Sequence, residues 1–477
     1  MGKMLIDGAW VDARERETVA VVSPADGQEF ARIARGRDAD VDLAVAAARR
    51  ALAGPWGALT ATERGRILST LSRRILDEAD ALTALEARDT GKPLSTARTD
   101  IQVLARYFEY YGGGADKVHG EVIPFLNGYA VTVVREPLGV TAHIIPWNYP
   151  AQIMGRTLAP ALAMGNAAVL KPAEDACLTT LRVAELALEC GVPAGALNVV
   201  TGYGNEAGAA LAAHPDIDFV TFTGSKETGA LVQQAAARNA VKCVLELGGK
   251  SPQIVFADAD LDRALPIIVR GIIQNTGQTC TAGSRLLVQR PIYDAFVARV
   301  ATAFQAVRVG TPEMDGDCGP VINRRQFERV TRMVDAARRA GIPVLAEGAL
   351  PPDLPRGGYY VPPVLFGNVP RDSALARDEV FGPVLAVFPF DDESDAIAIG
   401  NDTDYGLLGA VWTENGGRQQ RVAKALRCGQ VFINCFGAGG GVELPFGGMK
   451  RSGHGREKGF VALEEMSTTK TLVHWHG

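Results

Sequence analysis

Residues 140–171 read VTAHIIPWNYPAQIMGRTLAPALAMGNAAVLK, and this stretch decides the fold class. An apolar run at 140–145 is followed by a turn with two prolines, a helix-like stretch and a second apolar run at 167–170. Short apolar runs joined by a helix are typical of buried parallel strands with a crossover helix. The segment therefore predicts an α/β fold.

The same alternation continues along the chain in two series. Further apolar runs of the first series lie at 197–200, 219–222 and 241–245, and those of the second lie at 253–256, 286–288, 384–388, 408–411 and 430–434. We expect two α/β units, each built on its own sheet.

The first 120 or so residues are predicted to be mostly helical after a short strand region. Between residues 60 and 87, apolar residues recur at intervals of three and four, as on one face of a helix. Thr60 and Glu63 have the spacing of a capping box, and Gly91 followed by Pro93 is a helix stop. Two further strands, at 131–134 and 469–473, lie outside both series and could pair with each other or with another subunit.

Composition excludes several classes of protein. The 477 residues carry a net charge of −5 and no dense basic run, so a nucleic-acid partner is not expected. The apolar stretch between Arg156 and Lys171 is free of charge for only 14 residues, too few to span a membrane. Seven cysteines without a C-x-x-C pair, few histidines and no apolar leader predict a reduced cytoplasmic protein with no metal site.

Three polar residues are candidates for chemistry. Cys280 lies among small and polar neighbours in GQTCTAGSR, which suits an exposed nucleophile, although most single cysteines are inert core residues. Glu246 ends an apolar strand before Leu247 and a glycine pair, where it is either a general base or a solvated acid. Asn148 lies in a rigid turn, where its amide either donates to an oxyanion or satisfies the turn backbone.

Two glycine-containing segments follow strands and open helices. They are GYGNEAG at 202–208 and FTGSKETG at 222–229. Glycine lets a backbone approach a pyrophosphate, and a helix N-terminus offers free N–H groups, yet such glycines are as often plain turn residues. The first segment is also one residue too long for the usual dinucleotide fingerprint.

Seven motifs in order identify a family. The sequence resembles the NAD(P)-dependent aldehyde dehydrogenase superfamily over essentially its whole length, through PWNYP (146–150), KPAE (171–174), FTGS (222–225), LELGGK (245–250), GQTC (277–280), EVFGP (379–383) and PFGG (445–448). The resemblance implies a Rossmann-type cofactor domain (1–118 and 138–246), an α/β catalytic domain (247–460) and a small β oligomerisation domain (119–137 and 461–477). It also implies a homo-oligomer, a tetramer or a dimer.

The resemblance implies a role for each candidate. Cys280 would attack the aldehyde, Asn148 would stabilise the alkoxide, and Glu246 would activate the water that hydrolyses a thioester to the acid. NAD, or else NADP, would be the cofactor, and the residues implied to hold it are Ile145, Pro146, Trp147, Lys171, Glu174, Gly204, Gly208, Phe222, Gly224, Ser225, Gly229, Leu247, Glu379 and Phe381.

The substrate is a small aldehyde that the sequence does not name. Residues 436–444 occupy the family's substrate-entrance loop, and Phe446 is predicted to touch the substrate. Arg156 is a lone charge in an apolar segment; it either makes a structural salt bridge or binds the distal carboxylate of a semialdehyde. Aromatic aldehydes are a further option. A non-catalytic crystallin-like protein on the same fold is the alternative function, and transfer of the acyl group to coenzyme A or phosphate is the alternative chemistry.

Overall fold

A computed structural model describes residues 2–437 and 441–477. The strands of that part of the chain are β1 Met4–Ile6, β2 Ala9–Val11, β3 Thr18–Val22, β4 Glu29–Ala34, β5 Glu121–Ile123, β6 Tyr129–Pro137, β7 Val140–Ile144, β8 Ala167–Lys171, β9 Leu197–Val199, β10 Phe219–Thr223, β11 Lys242–Glu246, β12 Pro252–Val255, β13 Arg285–Gln289, β14 Val344–Glu347, β15 Val364–Phe366, β16 Val384–Phe390, β17 Leu408–Trp412, β18 Gln430–Ile433, β19 Gly453–His454 and β20 Ser467–Trp475.

The α-helices of the described residues are α1 Asp38–Ala53, α2 Pro55–Ala58, α3 Ala61–Asp77, α4 Ala79–Thr90, α5 Leu94–Gly114, α6 Pro150–Ala163, α7 Leu178–Glu189, α8 Ala209–Ala213, α9 Lys226–Ala237, α10 Leu261–Ile273, α11 Tyr293–Gln305, α12 Arg324–Arg339, α13 Ala374–Arg377, α14 Glu393–Asn401, α15 Gly416–Ala425 and α16 Val461–Glu465. Both predicted α/β series are present, so the α/β prediction is confirmed.

The N-terminal helices begin and end where capping residues predict. The Thr60 hydroxyl accepts a hydrogen bond from the Glu63 backbone N–H at the start of α3, and Gly91 ends α4 in the left-handed region at a φ of 79°. The single predicted helix is wrong in one respect, because the chain breaks at Glu78 into α3 and α4. Glu78 leaves the helical conformation (φ −102°, ψ 15°), and its carboxylate binds Arg182 of α7.

The first sheet has the strand order β19-β11-β10-β7-β8-β9-β1-β2. Its five central strands, from β11 to β9, are mutually parallel and almost entirely buried. Helices cover both faces of such a sheet, which explains why these strands appear in the sequence as continuous apolar runs. The carboxyl ends of β7, β8, β10 and β11 meet at one edge and carry most of the predicted site residues.

The second sheet has the order β14-β15-β16-β13-β12-β17-β18. Its core strands are parallel, and only β14 runs antiparallel at the edge. Strand β19 crosses between the units: it lies in the region assigned to the catalytic domain but pairs with β11 of the first sheet.

The two outlying strands pair with each other. Strands β6 and β20 form nine antiparallel pairs, and β5 adds a third strand on the other side of β6. Of the two pairings that the sequence left open, the structure shows the one within the chain, and neither strand joins the two large sheets. The small sheet nevertheless stays open at its outer edges.

Candidate active site

Asn148 and the segment of Cys280 are joined by backbone and side-chain hydrogen bonds. Asn148 follows β7 in the turn that opens α6, and its amide nitrogen donates to the Gln278 carbonyl oxygen at 2.9 Å. The amide of Asn275 donates to the same oxygen and to the Asn148 carbonyl oxygen. One N–H of the Asn148 amide is thereby fixed, which leaves the second in a defined direction.

A tight turn after α10 presents Cys280. Asn275 and Thr276 adopt φ values of 49° and 56°, and Gly277 has a φ of 71°. A Cβ atom on Gly277 would lie 2.1 Å from the Gly382 carbonyl oxygen, so glycine is required there. Non-glycine residues in the left-handed region cluster at functional sites. This turn brings together the predicted nucleophile and the predicted oxyanion donor.

The thiol of Cys280 is partly buried. Burial raises the pKa of Cys280 to about 12; the positive charge of Arg156 opposes this rise, and the charges of Glu379 and Glu246 add to it. The thiol is therefore protonated at neutral pH in the absence of ligands and must lose a proton before it attacks. All seven cysteines fall within the described residues and are free thiols.

Glu246 ends β11 and is 2% exposed. Both of its carboxylate oxygens lack a hydrogen-bond partner among the described residues. Burial raises the pKa of Glu246 well above its ordinary value, and the nearby Glu457 carboxylate raises it further. A buried acid with unoccupied oxygens and a raised pKa has the properties of a general base or acid.

Arg156 points from α6 to a carboxylate of its own chain. Its Nε lies 2.5 Å from Oε2 of Glu457, and its Nη2 donates to the Thr223 hydroxyl at 3.0 Å. This geometry favours the structural salt bridge over recognition of a substrate carboxylate. Binding of a semialdehyde carboxylate, the other role left open for Arg156, therefore has no support from its position.

Phe446 lies beside these groups. Its ring centre is 5.1 Å from the Arg156 guanidinium carbon, and it belongs to a small apolar cluster against which Cys280 packs. Contact of Phe446 with the substrate stays a prediction. The glycine-rich part of the predicted entrance loop, residues 438–440, lies outside the described residues.

The carboxyl end of β8 carries the groups expected to hold the adenine ribose. Lys171 is buried, and its Nζ lies 3.1 Å from Oε2 of the half-buried Glu174. The nearby Gly204–Gly208 segment forms a single π-helical turn. A Cβ on Gly204 would meet nothing within 4 Å, and one on Gly208 would lie 3.7 Å from Lys171 Cδ.

Two glycines at the start of α9, one before the helix and one in its first turn, allow close packing beside the predicted pyrophosphate site. A Cβ on Gly224 would lie 2.5 Å from the Phe222 ring, and one on Gly229 would lie 2.5 Å from a Leu247 methyl group. The exposed Ser225 caps the helix by accepting from the Thr228 N–H. Phe222 and Leu247 therefore shape the approach to the N-terminus of this helix, which offers N–H groups to an anion.

Three further side chains lie at the expected nicotinamide end. Oε1 of Glu379 accepts a hydrogen bond of 2.8 Å from the Gly249 N–H, and burial raises the pKa of Glu379 to about 7. The rings of Trp147 and Phe381 meet edge to face with centroids 5.4 Å apart. Ahead of Trp147, the backbone N–H of Ile145 is bonded to the Lys171 carbonyl oxygen at 3.1 Å, which leads Pro146 into the turn.

Sequence reasoning missed Glu457 and Thr223. Glu457 lies far along the chain, in a glycine-containing loop after β19, and is only 2% exposed. A charged residue in a loop is normally solvated, so the sequence carries no signal for its burial against Arg156.

Known proteins match this chain over its full length. A family model described as the aldehyde dehydrogenase family matches residues 10–472. An aldehyde dehydrogenase from Emericella nidulans is 43% identical over 99% of this chain and 94% of its own length. A solved structure from Burkholderia cenocepacia, assigned to the aldehyde dehydrogenases, covers all of both chains with 59% identity and a TM-score of 0.99.

Betaine aldehyde dehydrogenase from Staphylococcus aureus, solved in complex with NAD+, is 36% identical and covers 100% of this chain and 95% of its own, with a TM-score of 0.97. The chain belongs to the aldehyde dehydrogenase family. It is therefore an enzyme that oxidises an aldehyde with NAD(P)+.

Two observations concern metal binding and membrane insertion. Within residues 2–437 and 441–477, no group of three or more His, Cys, Asp or Glu side chains is arranged to hold a metal ion. No helix in the same part of the chain is long and apolar enough to cross a membrane.

Proposed function

We propose that this enzyme oxidises its aldehyde through covalent catalysis by Cys280 and releases the product by hydrolysis. The observation that carries the proposal is the juxtaposition of a partly buried thiol with Asn148 and with the orphaned buried carboxylate of Glu246. An aldehyde carbon becomes a good hydride donor once a thiolate has added to it, because the adduct is a tetrahedral alkoxide.

Asn148 stabilises that alkoxide. Its amide is fixed by the bond to the Gln278 carbonyl oxygen, so its second N–H and the Cys280 backbone N–H are in place before charge develops. Preorganised donors of this kind are worth about 3–4 kcal/mol each in acyl-transfer enzymes.

NAD fits the residues at the edge of the first sheet. The hydroxyl groups of a ribose match the ammonium and carboxylate of Lys171 and Glu174, the N-terminus of α9 suits a pyrophosphate, and Trp147 and Phe381 provide aromatic walls. When bound, the cofactor accepts the hydride from the adduct. Glu379, whose carboxylate accepts from the Gly249 N–H, would hold the second ribose.

Glu246 completes the reaction. Loss of hydride leaves an acyl group on Cys280 as a thioester, and a carboxylate at Glu246 takes a proton from the water that attacks it. The C–S bond breaks, the thiol recovers a proton, and the carboxylic acid leaves. Glu246 favours this hydrolysis over transfer of the acyl group to coenzyme A.

NAD is proposed as the preferred cofactor. The Glu174 carboxylate is held by Lys171 and is half-exposed toward the site. It would accept a hydrogen bond from a ribose hydroxyl and repel a 2′-phosphate.

The small three-stranded sheet supports a homo-oligomer. Apolar side chains on and beside it are strongly exposed, among them Val122, Phe125, Leu126, Val473 and Trp475. Exposed apolar patches and open strand edges mark surfaces that pair with another chain. Light scattering is expected to report a dimer or a tetramer, and a monomer at micromolar concentration would refute this part of the proposal.

The test of the reaction is the formation of NADH, followed by absorbance, with a panel of aliphatic, aromatic and semialdehyde substrates. Turnover of any of them with release of the free acid supports the proposal. Absence of turnover across the panel would favour the non-catalytic alternative. Formation of an acyl-coenzyme A product would contradict the hydrolytic route.

A further inference from the structure

Arg156 is a buried cation held from two sides. Its side chain is 9% exposed in the middle of α6, and no other Asp, Glu, Lys or Arg lies between Glu136 and Lys171. Glu457 holds its Nε, and the Thr223 hydroxyl accepts from its Nη2. Such a guanidinium cannot turn to solvent without breaking both contacts.

Strand β10 holds the ion pair of Arg156 and Glu457 beside Glu246. Thr221 donates its hydroxyl to Oε1 of Glu457 at 2.7 Å, and Thr223, two residues on, lies on the same face of the strand. Thr223 is the register partner of Glu246 on the neighbouring β11. Registered residues of adjacent strands project to the same side of a sheet, so the guanidinium on Thr223 lies beside the Glu246 carboxylate.

The cation and the thiol share Phe446 as a neighbour. The Phe446 ring lies 5.1 Å from the guanidinium carbon and packs in the cluster that includes Cys280. The charge of Arg156 thus acts on both residues to which the reaction assigns a change of protonation.

We propose that Arg156, clamped by Glu457 and Thr223, is a positioning residue that supplies the fixed positive charge against which Cys280 and Glu246 change protonation. This inference rests on the roles proposed above for those two residues. Glu457 has a double part, because it anchors the cation and partly neutralises it.

The charges around Glu246 and Cys280 decide whether each substitution should raise or lower their pKa values. Glu246 is faced by the carboxylate of Glu457, which raises its pKa, and by three cations, which lower it: Arg156, Arg456 and Lys458. The pKa of the Cys280 thiol is lowered by Arg156 and raised by the carboxylates of Glu379 and Glu246. Removal of Arg156 therefore raises the pKa of Glu246, whereas removal of the Glu457 charge lowers it.

Removal of Arg156 and removal of the Glu457 charge should shift the pKa of Glu246 in opposite directions. This difference distinguishes the proposed role from a merely structural one. Loss of a structural ion pair would impair the enzyme in the same way from either side. We therefore compare Arg156→Gln, Arg156→Lys, Glu457→Gln and the double variant Arg156→Gln/Glu457→Gln. The acid limb of the kcat profile reports Glu246, and the pH dependence of alkylation of Cys280 by iodoacetamide, without cofactor, reports the thiol.

We expect Arg156→Gln to move the acid limb upward by about one pH unit and to slow alkylation of Cys280 by about tenfold at a fixed pH below its pKa. Arg156→Lys should restore both the acid limb and the alkylation rate. Glu457→Gln should move the acid limb of the kcat profile to lower pH. The acid limb of the double variant should lie between those of the two single variants. Arg64→Gln is the matched control, since this part-buried arginine donates to the carbonyl oxygens of Ala163 and Leu59. It should change neither the acid limb nor the alkylation rate.

Shifts of the acid limb in the same direction for Arg156→Gln and Glu457→Gln would overturn the inference, as would no shift in either or no rescue by Arg156→Lys. If Arg156→Gln fails to fold, the comparison of Glu457→Gln with the double variant still decides, because neither leaves a charged Glu457 without its partner. Oxidation by a Cys280→Ala variant is a separate result, which would refute the proposed chemistry itself.

Discussion

The amide nitrogen of Asn148 lies 2.9 Å from the carbonyl oxygen of Gln278, two residues before Cys280. The turn after β7 and the turn after α10 are thereby locked to each other, although they belong to different sheets. Any movement of the predicted nucleophile carries the predicted oxyanion donor with it. Geometry of this kind places reacting groups before substrate arrives, which avoids an entropic cost during the reaction.

Substitution Glu246→Gln removes the base and keeps the shape. Because formation of the thioester needs no activated water, we expect a pre-steady-state burst of NADH followed by turnover at least about a hundredfold slower. Rapid-quench or stopped-flow absorbance measures both phases. Loss of the burst as well would show that Glu246 also deprotonates the thiol, and Glu414→Gln on the surface is the control.

Glu379 titrates near neutrality, so cofactor binding should depend on pH. Its carboxylate form predominates above a pKa of about 7 and its neutral form below. If the carboxylate accepts a ribose hydrogen bond, the Kd for NAD should rise by about tenfold as pH falls through 7, the value of a charge-assisted hydrogen bond.

Glu379→Gln should show the weaker affinity at every pH. Titration calorimetry between about pH 6 and about pH 8.5, a range that spans the pKa of Glu379, measures the effect. An unchanged pH dependence in the variant would assign the titration to another group.

Glu174 should determine the preference of the enzyme for NAD over NADP. We expect the wild-type enzyme to have a higher kcat/KM with NAD than with NADP. Glu174→Gln should lower the ratio of these two kcat/KM values by about tenfold, equivalent to ~1.4 kcal/mol. Glu227→Gln, an exposed acid on α9, should leave the ratio unchanged. A preference of the wild-type enzyme for NADP would refute the role of Glu174.

His143 should make the fold acid-sensitive. It is fully buried in β7, with Nε2 bonded to the Thr141 hydroxyl, and burial lowers its pKa to about 3. Between that value and about 6.5 the unfolded chain binds a proton that the folded chain does not, so stability falls as pH falls. The contribution is about 1.4 kcal/mol for each pH unit below 6.5.

His143→Gln should flatten the decline of the thermal midpoint between pH 6.5 and pH 5 relative to wild type. The exposed His454 provides the control, because His454→Gln should keep the wild-type slope. Equal slopes in His143→Gln and wild type would remove His143 as the cause.

The sheets could be predicted from sequence because buried parallel strands such as β7, β8 and β10 are continuous apolar runs. Short strands such as β14 and β15 carry too few residues for a pattern. The break at Glu78 depends on a tertiary contact with Arg182, which helix periodicity cannot reveal.

The candidate site also has residues that the sequence indicates and residues that depend on tertiary contacts. Cys280, Glu246 and Asn148 lie in local motifs, so their sequence context made them candidates, and the family resemblance implied their roles. The partner of Arg156 was not accessible to the same reasoning, because its identity depends on how a distant loop folds over β10. Sequence predicted a charge that needs a partner, and only the structure supplies Glu457.

The most direct measurement is NADH formation by Cys280→Ala beside its affinity for NAD. We expect no aldehyde oxidation and an unchanged Kd, because the thiol forms the covalent bond but is not among the residues proposed to hold the cofactor. Cys435→Ala, which alters another partly buried free thiol, should retain activity. Turnover by Cys280→Ala near the wild-type rate would contradict covalent catalysis by this residue.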